Sequence, residues 1–141
     1  MILVKSGLVR VLAKDDLLVS GIDAVRGAIG VVGPDCEGHT VSKEFFTLRV
    51  RAEQIDQVDP WFVARLLRTP TMRAILEGSI SGVSNRTRLD SVDQLLALPM
   101  PTLPSIDNQR DVADKVRKAF LAQDEANKVF EEIDQSLDQP I

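Results

Sequence analysis

From Val112 to Leu137 the chain repeats apolar or small residues in alternating steps of four and three. They are Val112, Val116, Ala119, Ala126, Phe130, Ile133 and Leu137, with Gln123 in the remaining slot. No glycine or proline interrupts the run between Pro104 and Pro140. Steps of this kind hold one stripe on one side of a helix, as a coiled-coil seam does. A helix from Ser105 to Leu137 would run roughly 50 Å. That is more than a small body can cover, so part of the seam is expected to meet another helix. The alternative is a helix packed wholly on its own body. With 141 residues in all, the chain reads as one domain at 1–104 followed by a helical appendage at 105–141.

The body carries strand signals first and helix signals later. Residues 2–12 are apolar and β-branched and read as a strand or strand pair broken at Gly7. Asp16–Ser20 and Ala28–Val32 are compact strand candidates, joined by a connection that carries Asp23 and Arg26. Pro34–Gly38 is a turn cluster, and Thr40–Ser42 and Phe45–Val50 give further strand signal, with alternation across Phe46, Leu48 and Val50. After Asp59-Pro60 the period becomes helical, Asp59 standing as N-cap and Pro60 at the first helical position. Thr69-Pro70 is expected to break that helix, and a second piece, Thr71–Leu76, to run into Gly78. Ser91 with Gln94 three residues on forms a capping-box pattern for a short helix ending near Leu98. Pro99, Pro101 and Pro104 hold the next strip extended. The expected class is α+β, a small mixed β-sheet body with short helices followed by a long C-terminal helix of coiled-coil type.

The net charge of −4 is unevenly placed. Residues 1–104 hold 12 basic and 12 acidic side chains, against 5 and 9 from residue 105 onward. Residues 61–88 hold Arg65, Arg68, Arg73, Arg86 and Arg88 against Glu77 alone, so an acidic average does not exclude nucleic acid. A solvated helix face is the other reading of these arginines. The single cysteine, Cys36, rules out an internal disulfide framework and fits a reducing compartment. The opening residues hold no apolar run of signal-peptide length, and no window approaches the ~20 apolar residues of a membrane span. A cytoplasmic protein is expected.

Chemistry-bearing constellations are sparse. Gly27, Gly30 and Gly33 are not spaced as a phosphate-cradling loop and read as turn and packing glycines. Cys36 and His39 supply two metal ligands where zinc needs about four, and no orienting group accompanies them as a nucleophile pair. No enzyme, metal or cofactor is expected. The loop Ser79–Arg88 differs, since its small residues let the backbone approach a partner. Asn85 offers the amide that pairs with adenine, and Arg86 and Arg88 offer guanidinium forks for guanine or phosphate. The absence of interleaved aromatic residues argues against base stacking.

Taken together, DLLVS, GAIG, VSKEFFTLRV, DPWFVARLL, SNRTRL and LLALPMPTLPSIDNQ resemble the target recognition domain of type I restriction–modification specificity subunits, also found attached to related adenine DNA methyltransferases. The strip LPMPTLPSIDNQ, which opens the long helix, is the most specific piece, and the resemblance covers roughly Asp15 to Leu137. It implies a non-catalytic module that reads double-stranded DNA, with catalysis in other subunits; no N-P-P-[YF] methyltransferase motif is present. The implied DNA-facing residues are Asp23, Arg26, Lys43, Ser81, Ser84, Asn85, Arg86 and Arg88. The implied helix interface is Val112, Val116, Ala119, Gln123, Ala126, Phe130, Ile133 and Leu137, for a homodimer or for docking a methyltransferase subunit. Full specificity subunits carry two recognition domains and two helices, whereas this chain shows one of each and little of the part before DLLVS. A self-pairing half-subunit and a truncated fragment both fit.

Overall fold

The structure, a computed structural model, describes residues 2–4, 10–42, 44–81, 89 and 92–139. Among the described residues there are six strands: β1 (Ile2–Val4), β2 (Arg10–Val11), β3 (Leu17–Ser20), β4 (Ile29–Val31), β5 (Thr40–Val41) and β6 (Phe45–Val50). Four of them form a sheet in the order β1-β6-β3-β4, and β2 pairs with β5 separately. Every pairing among the described residues is antiparallel. In the central register Leu17 faces Leu48 and Val19 faces Phe46, so these four apolar side chains fall on one side. Leu17, Val19 and Leu48 are buried there against Val63 and Leu67 and against Leu76 and Ile80 from two helices.

One corner of the sheet is pinned by charge. Asp15 takes a left-handed backbone, φ 66°, and turns the chain into β3. The next residue, Asp16, is fully buried and receives the Arg49 guanidinium from β6 at 2.6 and 2.8 Å, with the Ala13 amide as a further donor at 3.0 Å. The Asp16 carboxylate holds the Arg49 guanidinium above its ordinary range. A two-pronged pair of this kind fixes the register of β3 on β6 as well as attracting it.

Helix boundaries follow local chemistry. Helix α1 (Pro60–Leu67) is capped by Asp59, whose carboxylate accepts from the amides of Trp61 at 2.8 Å and Phe62 at 3.3 Å. Pro70 cannot continue α1 and instead starts α2 (Pro70–Ser81). That helix is longer than the Thr71–Leu76 expectation, and Ser79, Ile80 and Ser81 are helical where the sequence reads as loop. Leu76 and Ile80, four residues apart, are both buried, and their packing carries the helix through Gly78. Helix α3 (Val92–Leu96) lies where the capping box points, though Ser91 falls outside the described residues.

The proline strip delivers the chain to α4 (Ile106–Leu137), 32 residues long, with Ser105 Oγ accepting from the Asn108 amide. Its root is held by Gln109, which has no exposed surface. Gln109 Oε1 accepts from the Asp59 amide at 2.9 Å, and Nε2 donates to the carbonyls of Gln57 at 2.9 Å and Pro104 at 2.8 Å. One side chain thereby ties the helix to the segment before α1 and to the strip that leads into it. Ala113, fully buried one turn on, lets α4 approach α1 closely. Phe120 meets Trp61 edge-on at 6.0 Å, and Arg117 lies over the Trp61 ring at 5.1 Å while reaching Asp59 at 3.9 Å. Beyond this root, every residue from Leu121 to Gln139 is exposed. The expectation of a helix too long for its own body therefore holds for the described residues.

Candidate nucleic-acid interface

Ser20 ends β3, and the chain must turn to enter β4. It does so through a single helical turn at Ala24–Arg26, closed by Gly27 in a left-handed conformation, φ 88°. Ser20 Oγ accepts from the Asp23 amide at 3.2 Å, and the Asp23 carbonyl accepts from Ala28 at 3.2 Å. Asp23 and Arg26 therefore stand on a tied turn with both side chains in solvent, 3.9 Å apart. Asp23 is an acceptor suited to a cytosine amino group and Arg26 a donor suited to guanine or phosphate.

The residue before this turn organises a wider surface. The Gly21 amide donates to the Glu44 carbonyl at 2.8 Å, and its own carbonyl accepts from the Leu89 amide at 2.7 Å. A Cβ at Gly21 would stand 2.9 Å from Glu44 O and 3.2 Å from both Leu89 O and a Phe46 ring carbon. Glycine is required because three backbones meet there. Gly21 precedes Ile22–Arg26, Glu44 follows Ser42-Lys43, and Leu89 follows Ser81–Arg88. The three stretches expected to face DNA, distant in sequence, are thus joined at their bases. Leu89 is buried and Ile80 fixes the other side of the third stretch at the end of α2. Ser42 Oγ donates to Glu44 Oε2, tying the second stretch to the same point. Lys43, Ser84, Asn85, Arg86 and Arg88 lie outside the described residues; Ser81 is the last residue of α2. Gly21→Ala is expected to cost about 1–3 kcal/mol, since neither backbone carbonyl can yield cheaply. Chemical denaturation measures this, and an unchanged midpoint would show that the three backbones are not held together.

A second cationic feature is not readable as a site in the sequence. Arg65 and Arg68, three residues apart on α1, and Lys115 on α4 wall a groove floored by Val112, Val116 and Ala119, with Phe120 and Gln123 completing it. No acidic side chain lines it among the described residues. The site where a Gly27 Cβ would lie is 3.9 Å from Arg68 Nε, so this arginine reaches toward the Asp23–Arg26 turn. The i,i+3 spacing of Arg65 and Arg68 is the one signal the sequence offers; that α4 crosses α1 beside them has no trace in it.

Of the seam residues, Val116 is half-buried at the root, while Val112, Ala119, Gln123, Ala126, Phe130, Ile133 and Leu137 are exposed. Phe130 and Leu137 retain 63% and 78% of their accessible surface, a large apolar exposure for a helix flank. Cys36 is a free, exposed thiol, and among the described residues no group of three or more His, Cys, Asp or Glu could hold a metal ion. No helix among them is long and apolar enough to cross a membrane. Compared with family models, curated proteins and solved structures, the chain matches none.

Proposed function

We propose that this chain is the non-catalytic, sequence-reading component of a type I-like restriction–modification system, working in the cytoplasm. The observation that carries the reading is the meeting of three backbones at Gly21, which gathers the bases of the Ile22–Arg26, Ser42-Lys43 and Ser81–Arg88 stretches. Side chains on these stretches read double-stranded DNA through hydrogen bonds to base edges and phosphates. Helix α4 supplies the assembly surface, a coiled-coil seam for a second copy of the chain and for a methyltransferase subunit. No cofactor belongs to the chain itself; methyl transfer and cleavage belong to the partners.

Selection of bound sequences from a random duplex pool, with and without a cognate methyltransferase subunit, tests the reading. An enriched sequence is expected, bound with an affinity that falls steeply with salt as counterions are released. In the Arg86→Ala/Arg88→Ala double variant, binding is expected to weaken by about 1–3 kcal/mol for each guanidinium that pairs bidentately with a base. An unchanged affinity removes that loop from the interface. The exposed seam by itself favours a second reading, a helix-mediated scaffold or remnant without DNA affinity. Self-association with no salt-dependent shift of any duplex would select it.

A further inference from the structure

Where α1, α3 and the proline strip come together, the core is not closed. A cavity of about 320 Å³ reaches in to Leu48 of β6, Val63 and Leu67 of α1 and Leu95 of α3, all buried. Interiors are close-packed, and gaps larger than a water molecule are few. Water in this one finds few polar partners, and the walls lack the contacts that a filling group would supply. Leu96 and Met100 also line it and are exposed, so the apolar surface continues from the core out to solvent.

Arg51, the residue after β6, supplies the one charge in the lining among the described residues. It is exposed, and its guanidinium has no ion pair or hydrogen bond among them. Ligand pockets of this size are mostly apolar, with a few polar groups that fix orientation. A phosphate backbone would satisfy Arg51 and leave the walls empty, and a neutral hydrocarbon would do the opposite. A hydrocarbon body that ends in an anion satisfies both. No aromatic side chain lines the cavity among the described residues, and walls of leucine, valine and methionine suit a flexible chain better than a flat ring.

We infer that this cavity is a binding site for a free linear monocarboxylate, its chain among Leu48, Val63, Leu67 and Leu95 and its carboxylate on Arg51. A cavity of about 150 Å³ takes one benzene ring, so this one takes a chain of roughly eight to twelve carbons. The site shares no residue with the Gly21 meeting point or the α4 seam, and it stands apart from the DNA reading. It does bear on how α4 is seated. Leu103 lines the cavity one residue before Pro104, whose carbonyl accepts from Gln109 at the root of the helix. A bound chain therefore braces the strip from which α4 leaves the body.

Titration calorimetry with decanoate tests the site, and octanoate, hexanoate and decanol complete the series. Decanoate is expected to bind with a dissociation constant of about 10–100 µM. Each methylene removed is expected to weaken binding about fourfold. Decanol is expected to bind about tenfold more weakly than decanoate, and Arg51→Gln to weaken decanoate by the same factor while leaving decanol unchanged. Leu96→Glu, which sets an anion at the mouth, is expected to act against decanoate in the same way. Arg51 and Leu96 are both exposed, so these variants keep the fold, which circular dichroism checks. Methyl resonances of Leu48, Val63, Leu67 and Leu95 are expected to shift with decanoate, and amide exchange at Gln109–Ala113 to slow. Shifts confined to Leu121–Leu137 would place the guest on the exposed helix and overturn the inference. So would the absence of binding heat at 1 mM decanoate, or an affinity indifferent to chain length. An affinity indifferent to Arg51→Gln would also overturn it and make the cavity a socket for an apolar group alone. Unchanged exchange at Gln109–Ala113 would remove the link to α4. None of these readouts involves a duplex, so their failure leaves the DNA reading standing, and absence of duplex binding leaves them untouched.

Discussion

Gln109→Glu is expected to destabilise the protein by about 3 kcal/mol or more, lowering the thermal midpoint by roughly 10 °C. The side chain has no exposed surface and uses its amide in both senses, accepting from the Asp59 amide and donating to the carbonyls of Gln57 and Pro104. Glutamate keeps the size and the acceptor but removes the donors. It sets a carboxylate oxygen against two carbonyl oxygens in a site closed to water, so it must be buried charged or take up a proton. Gln109→Met separates the causes, since it keeps most of the volume and makes none of the three bonds. It is expected to fall between wild type and Gln109→Glu. Calorimetry with far-ultraviolet circular dichroism checks both, and a midpoint within about 2 °C of wild type in Gln109→Glu would show these hydrogen bonds to be energetically idle.

In Ile133→Asp, self-association is expected to fall by about a hundredfold or more while the helix and body remain intact. In a single copy Ile133 is 45% exposed, so the change costs the isolated chain little. At a two-fold interface each substitution acts twice. Glu131→Gln, on the exposed side of the same turn, is the matched control and is expected to sediment as wild type. Equal sedimentation of Ile133→Asp and wild type as dimers would place the interface elsewhere on the molecule. The two predictions act on opposite ends of α4, so their failures are separable.

Much of the fold is legible in the sequence because its signals are local. Asp59-Pro60 starts α1 through a cap and a missing amide that need no distant partner, and Thr69-Pro70 ends it in the same way. The 4-3 repeat places α4 to within a residue of the Ser105–Leu137 reading because nothing within it can break a helix. The end of α2 departs from its expected place for the complementary reason. Gly78 is a weak local veto, and the packing of Leu76 and Ile80 against the sheet overrides it. Gln109 stands in a recognisable motif but has no readable role there, since its partners are backbone atoms at Gln57, Asp59 and Pro104, which no side-chain pattern announces. The meeting at Gly21 is illegible in the same way. Its sequence trace is one glycine among eight. The Arg65–Arg68–Lys115 groove needs the crossing of two helices to become visible.

That meeting point also says how such a protein can change. It is built from main-chain amides and carbonyls and from the absence of one Cβ, so its demand on side-chain identity falls on a single position. On the first stretch, the exposed Asp23 and Arg26 can be exchanged without moving the place where it leaves the scaffold. Substitution there redraws the displayed chemistry while the frame keeps its stability. The architecture separates what must persist from what is free to vary.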